Sequence, residues 1–243
     1  MTSMHQRYIQ RLNQQCEQRG ITLGAAQLNA LSQYVEFLQQ WRRTINLTGL
    51  RQAEQMIDVL VAESLDFLWR EALPYAARVL DLGTGAGVPG VPLAICAPDL
   101  TVTLLDRSQK KITFLRHIVP RLQLRNCQPV CSTAEDLARH YTSAPHFDAV
   151  VTRGVGTVAH LLSLAAPLLH PGGALLLRKP VPTTELQEAA ALIASGGWAQ
   201  VKTRSLPMGG RTAWMLLAVF RAGVGAAADE GGLEASHGLQ PER

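Results

Sequence analysis

Two rhythms of apolar residues divide the 243-residue chain. Through residues 1–73 the rhythm is helical. Leu28, Leu31, Val35 and Leu38 recur at i, i+3, i+7 and i+10, and Tyr34, Phe37 and Trp41 join them on one apolar face. After a break at N-L-T-G-L (46–50), Met56, Ile57, Leu60, Val61, Leu65 and Leu68 repeat the pattern. The aromatic members of this face are expected to pack in the core rather than touch a ligand. From Pro74 the rhythm changes to short apolar runs at 78–82, 101–106, 128–131, 147–152 and 174–179. Amphipathic stretches near 89–97, 108–122, 157–169 and 184–195 alternate with them, and Pro120 is expected to kink or end the second of these. Strands alternating with helices predict an α/β fold with a parallel sheet covered on both faces. The close differs. V-K-T-R-S-L (201–206) and T-A-W-M-L-L-A-V-F (212–220), joined by P-M-G-G-R, predict an antiparallel hairpin finishing the sheet.

Residues 223–243 hold five glycines, four acids and no Phe, Trp or Tyr, a composition that predicts a disordered tail. The expected organisation is therefore a helical segment at 1–73, an α/β domain at 74–222 and a tail at 223–243. At 47% hydrophobic the chain is not a wholly disordered one. No apolar run reaches membrane-helix length, and the start lacks the apolar core of a secretion signal. Cys16, Cys96, Cys127 and Cys131 form no paired C-x-x-C modules, so reduced thiols in a cytoplasmic protein are expected rather than disulfides or a metal site.

Charge adds a layout. The total is 23 − 19 = +4, too mild for a histone-like polycation but compatible with a polyanionic partner. Residues 1–51 carry Arg7, Arg11, Arg19, Arg42, Arg43 and Arg51 against Glu17 and Glu36, a local +4. Residues 107–134 carry Arg107, Lys110, Lys111, Arg116, Arg121 and Arg125 with no acid. The tail is −3, so the body without it is +7.

The chemical signal follows the first strand, in V-L-D-L-G-T-G-A-G-V-P-G (79–90). Gly83, Gly85 and Gly87 let the backbone turn sharply beside a ligand, and a helix is expected from about Pro89. Gly85, Gly87 and Gly90 also spell G-x-G-x-x-G, and Asp106 lies at a suitable distance for a ribose contact, so a dinucleotide is one reading. Two features favour S-adenosylmethionine. Asp81 stands where its carboxylate could meet the amino group of a bound amino acid, and the chain has no room for the second catalytic domain of most dehydrogenases. Asp81 as a simple cap of the loop is the plainer alternative. Glu135 is placed after the third strand to contact an adenine, or to favour a helix start. Arg153 and Lys179 follow the fourth and fifth strands on the rim.

Over residues 33–179 the chain resembles the bacterial ribosomal RNA small subunit methyltransferase G family, also called glucose-inhibited division protein B. The motifs are W-R-R-T-I-N-L-T (41–48), D-L-G-T-G-A-G-V-P-G-V-P-L-A-I (81–95), L-L-D-R-S-Q-K-K-I-T-F-L (104–115), T-R-G-V (152–155) and L-R-K-P (177–180). The resemblance implies a Rossmann-like S-adenosylmethionine-dependent methyltransferase sheet with an N-terminal helical segment. It implies methyl transfer to N7 of a guanine in the 530-loop region of 16S rRNA, with 16S rRNA or the small ribosomal subunit particle as partner and no obligate protein partner or membrane. It further implies cofactor contacts at Gly83, Val88, Ala134, Glu135 and Arg153, beside Asp81, Gly85 and Asp106 from the spacing above. Guanine N7 has a lone pair and no proton, so no general base is expected, and Arg153 and Lys179 are expected to position substrate. Leu60 and Glu63 stand where the family has a histidine and an aspartate, Gly154 follows Arg153 in place of alanine, and Pro180 follows Lys179 in place of glycine. Those departures put substrate placement in question. A methyltransferase with a small-molecule or protein substrate and a non-catalytic RNA-binding relative are the alternatives.

Overall fold

Near-continuous apolar runs suit strands buried on both faces, and five of them become parallel neighbours: β1 (Arg78–Leu82), β2 (Thr101–Asp106), β3 (Cys127–Cys131), β4 (Phe147–Arg153) and β5 (Leu169–Pro180). The computed structural model describes residues 3–141, 146–153, 156–180, 189–190, 193–194, 197–206 and 214–221, with backbone alone at 179–180, 199–200, 203–206 and 214–221. Most of the 184–195 stretch, the 207–213 connection and the 223–243 tail lie outside them.

The C-terminal hairpin forms from β6 (Trp198–Leu206) and β7 (Trp214–Arg221) and completes a sheet of order β3-β2-β1-β4-β5-β7-β6. The later strand does not sit at the border. β7 lies between β5 and β6, antiparallel to both. Composition explains the placement. W-M-L-L-A-V-F can enter a sheet interior, whereas Lys202 and Arg204 suit β6 to an edge that water reaches.

Alternate residues of each strand enter opposite apolar clusters. Val79, Val102, Leu104, Val151 and Leu176 face one side, and Leu80, Leu105, Val150 and Leu175 the other. Helices α4 (Gly90–Cys96) and α5 (Gln109–Arg121) cover the first side. The second is covered by α6 (Ala134–His140) and α7 (Val158–Ala165). Pro120 ends α5 rather than kinking it, with Arg121 the last helical residue. The short α6 is too brief to show periodicity. Its local signal is a cap: Thr133 Oγ1 accepts from Asp136 N at 3.1 Å, with Glu135 and Asp136 in the first turn.

The N-terminal segment packs onto the first side. Helix α1 (Met4–Glu17) begins at a Ser3–Gln6 capping box and buries Tyr8, Leu12 and Cys16, one turn apart. Helix α2 (Ala25–Trp41) buries Leu28, Leu31, Tyr34, Val35 and Leu38. Gln27 Nε2 donates to the carbonyls of Ile95 and Cys96 at 3.3 and 3.1 Å, satisfying acceptors that the end of α4 leaves open. Trp41 meets Phe114 and His117 of α5 with ring centroids 5.6 and 5.0 Å apart. A third helical stretch changes character along its length. It is α-helical in α3 (Ala53–Gln55), π-helical over Met56–Val61 and 3-10 over Ala62–Phe67. Leu12, Leu31, Ile57, Val79, Val91, Leu104 and Phe114 belong to one continuous cluster, so the helices and the sheet share a core.

That shared core sets an expectation for unfolding. Leu31 is fully buried in α2, and Leu31→Ala is expected to cost about 3 kcal/mol. Urea melts followed by circular dichroism and by tryptophan emission should shift together in one transition. Two separate transitions would mean that the helices dock as an independent unit.

Candidate cofactor and substrate site

The loop between β1 and α4 is held by two carboxylates. Asp81, at the carboxyl end of β1, is fully buried, and its Oδ2 accepts from Thr84 Oγ1 at 2.6 Å and Gly90 N at 2.7 Å. Burial pushes its carboxyl up to about 7 despite those two bonds. Asp81 Oδ1 is buried with no hydrogen-bond partner among the described residues. Asp106, at the end of β2, is 7% exposed. Its Oδ2 accepts from Gly85 N at 3.0 Å and Lys111 Nζ at 3.4 Å, and its Oδ1 from Ser108 N at 2.8 Å. A carboxylate offers about four acceptor positions, so Asp106 retains capacity for a hydroxyl donor.

Glycine is required here for two reasons. Gly87 has φ +100°, and a Cβ there would lie 2.7 Å from Val91 and 2.9 Å from Leu115. Gly90 approaches Asp81 so closely that a Cβ would lie 2.6 Å from Oδ2. From the helical segment, Tyr34 Oη donates to the Ala86 carbonyl at 2.9 Å. The hydroxyl is fully buried, and burial holds its pKa far above the ordinary value, so it remains a donor.

The remaining predicted residues take distinct places. Gly83 has φ +73° and donates its N–H to the Leu105 carbonyl at 2.9 Å, with Val88 half-buried further along the loop. Ala134 is buried and Glu135 exposed at the start of α6, just beyond β3, whose Cys131 is the register partner of Asp106. Asp81, Asp106 and the loop are thus joined by direct bonds, with Ala134 and Glu135 on the neighbouring strand connection. Arg153 stands apart from this group. Its Nη2 donates to Glu63 Oε2 at 2.8 Å and its Nη1 to the Val59 carbonyl. Burial lowers its pKa from the ordinary arginine value, with Glu63 opposing the shift. Lys179 follows Arg178 in β5, its backbone paired with Met215, and its side chain lies outside the described residues.

Periodicity did not reveal Tyr34 as a loop contact or Arg178 as a buried cation. Arg178 is 2% exposed and donates to Glu63 Oε2 at 2.7 Å and Asp66 Oδ2 at 3.3 Å. Its signal was present: a lone arginine ending A-L-L-L-R requires a carboxylate from elsewhere, and Glu63 and Asp66 interrupt an apolar helical seam.

These residues fit a ligand carrying vicinal hydroxyls, on the spare acceptor capacity of Asp106 and a loop shaped by glycines, with Asp81 beneath the loop as its cap. Residues 27–212 match the family model described as GidB, rRNA small subunit methyltransferase G. The chain belongs to that family. Ribosomal RNA small subunit methyltransferase G of Lachnoclostridium phytofermentans is 37% identical over 77% of this chain and 79% of its own. The protein of the same name from Laribacter hongkongensis is 39% identical over 63% of this chain and 71% of its own. Among solved structures, M. jannaschii TYW2 in complex with AdoMet superposes with TM-score 0.50 at 16% identity, covering 65% of this chain and 76% of that one. Precorrin-6y C5,15-methyltransferase from Geobacter metallireducens gives the same TM-score and identity, over 65% and 87%. Such likeness carries the fold: a mostly parallel Rossmann-like sheet with helices on both sides.

Two measurements probe the loop. Tyr34→Phe removes one buried donor and leaves the packing, so S-adenosylmethionine affinity in titration calorimetry is expected to fall about three- to tenfold. Asp81 has a folded pKa of about 7, above its ordinary 3.8, so the folded state binds the proton more tightly. Its contribution to stability is present below pH 3.8 and is lost as pH rises through 7. Asp81→Asn should therefore melt with a weaker pH dependence than the parent over this window. Parallel melting curves would remove Asp81 as the titrating group.

Proposed function

We propose that this protein transfers the methyl group of S-adenosylmethionine to N7 of a guanine in the 530-loop region of 16S rRNA. The observation that carries the reading is the glycine loop pinned between Asp81 and Asp106 in a member of the methyltransferase G family. The same loop also suits other nucleoside-containing ligands, and the family match decides between them. Bound there, S-adenosylmethionine supplies an electrophilic sulfonium methyl.

The chain's own residues bind and orient. Asp106 accepts from the ribose hydroxyls, Asp81 braces the loop beneath the cofactor, Gly83, Gly85 and Val88 shape the cradle, and Ala134 and Glu135 meet the adenine. N7 already presents its lone pair, so no side chain removes a proton. Arg153 and Lys179 position substrate, through phosphate or the guanine O6 edge. Alignment of nucleophile and methyl is the main service such a site performs, worth several kcal/mol. Exposed cations support an RNA partner: Arg43 and Arg51 after α2, and Arg107, Lys110, Arg116, Arg121 and Arg125 along and beside α5. Trp41 against His117 places the end of α2 beside α5, so the two basic segments adjoin. Within this reading, 1–73 contributes RNA contacts and loop support, 74–222 the methyl-donor site, and 223–243 remains a tail. Among the described residues no helix is long and apolar enough to cross a membrane.

Labelled S-adenosylmethionine should mark one guanine N7 in 16S rRNA, free or within small-subunit particles. Label appearing only in protein or small molecules, or no label at all, overturns the proposal. RNA affinity should fall steeply with salt, because neutralised phosphates release counterions. Asp106→Ala is expected to weaken cofactor binding about ten- to a hundredfold through lost charge-assisted bonds, while Lys179→Ala spares it and lowers methyl transfer.

A further inference from the structure

A buried ionic chain joins the end of β4 to the turn between α1 and α2. In register, Arg153 of β4 lies beside Arg178 of β5, two cations on adjacent strands. Both donate to one oxygen, Glu63 Oε2, at 2.8 and 2.7 Å. Arg178 also reaches Asp66 Oδ2 at 3.3 Å, and Asp66 Oδ1 accepts from Arg19 Nε of the α1–α2 turn at 3.1 Å. Arg19 Nη1 is fixed in turn by Gln15, through its carbonyl at 3.0 Å and Oε1 at 2.8 Å. Side-chain exposures of 15, 12, 2, 10 and 21% for Arg153, Glu63, Arg178, Asp66 and Arg19 show how little of this chain water reaches.

The arrangement is more than charge neutralisation of Arg178. Asp66 already supplies Arg178 with a carboxylate, so the bond that sets Glu63 apart from Asp66 is the one to Arg153. Arg153 is the member of the chain at the carboxyl end of β4. Its other terminal nitrogen donates to the Val59 carbonyl, in the π-helical turn directly before the 3-10 turn that carries Glu63. π-helical turns commonly mark functional positions. Val59 and Glu63 thus present one carbonyl and one carboxylate to the same guanidinium. A buried ion pair can cost as much in desolvation as its attraction returns, and holding Arg153 in one orientation is the role that this geometry fits.

We infer that Glu63 is a positioning residue for methyl transfer: held by Arg178, it fixes the Arg153 guanidinium at the rim, where it meets the anionic group of the substrate or methyl donor. The inference rests on the proposed role of Arg153 in the site.

A double-mutant cycle separates the two. Arg153→Lys alone should lower kcat/KM for methylation of small-subunit particles at least about tenfold. Glu63→Gln should lower it by a similar factor in the parent and by less than about twofold in the Arg153→Lys background, because Glu63 acts through Arg153. Glu63→Asp, which keeps the charge, should recover most of the loss and serves in the same cycle where Glu63→Gln fails to fold. As a readout apart from turnover, calorimetric affinity for S-adenosylmethionine should show the same coupling if the anionic group belongs to the donor, and none if it belongs to the RNA. Melting temperature records the structural share of each substitution. Equal losses from Glu63→Gln in both backgrounds would overturn the positioning role and leave Glu63 as a packing carboxylate. Full activity of Arg153→Lys would instead overturn the role of Arg153 on which it rests.

Discussion

A carboxylate sealed from water underlies the architecture of the site. Asp81 ends β1 facing the start of α4, and one of its oxygens gathers the Gly90 amide and the Thr84 hydroxyl. Isolated burial of a charge is costly, and its displaced pKa records that cost. The strand end, the loop and the helix start are thereby drawn to within a few ångströms of one another. A side chain at Gly90 would collide with that same oxygen, so the constraint selects the glycine as well as the acid. Asp106 repeats the device from the next strand with Gly85. The cradle is consequently made of backbone, its shape set from beneath by two acids on adjacent parallel strands.

The helical segment completes what the sheet begins. Tyr34 fixes the Ala86 carbonyl from one side, Gln27 closes the end of α4, and Glu63 and Asp66 accept the cations that β4 and β5 carry inward. None of these contacts is made within the α/β part alone. The shared apolar cluster supports the same conclusion, since Leu31 and Phe114 belong to one core. The glycine loop and the exposed Arg43 are therefore mechanically continuous, through α2 from Tyr34 in the interior to the turn after Trp41.

Strand positions were legible because the runs are short, apolar and regularly interrupted, and six of the seven begin within three residues of expectation. β5 begins five residues early, at Leu169, where His170, Pro171 and two glycines interrupt the apolar signal. The neighbours of β7 were not legible, since pairing order is decided by which strand tolerates an edge. Helix α6 escaped because seven residues with a cap carry almost no periodicity. Among the candidate residues, the glycine loop, Asp81 and Asp106 stand out from spacing alone. The partners of Arg153 could not, because Glu63 lies 90 residues away and its relation to the strand ends exists only after the chain has folded. Asp81 also shows the limit of a motif: two readings were open in the sequence, and its bonds to Thr84 and Gly90 make it the cap of the loop that was the plainer of them.

Sequence distance within the ionic chain has a consequence for biogenesis. Arg178 finds Glu63 and Asp66 across 115 and 112 residues, and Gln27 finds its carbonyl partners across 68 and 69. As the polypeptide leaves the ribosome, α1 and α2 emerge before the sheet and α5 that complete their shared core, and Glu63 and Asp66 wait longer still for Arg178. Non-local contacts of this kind slow folding and leave hydrophobic surface exposed in the interval. The helices that precede the sheet are thus made early and locked late, a period in which nascent-chain chaperones have the most to protect.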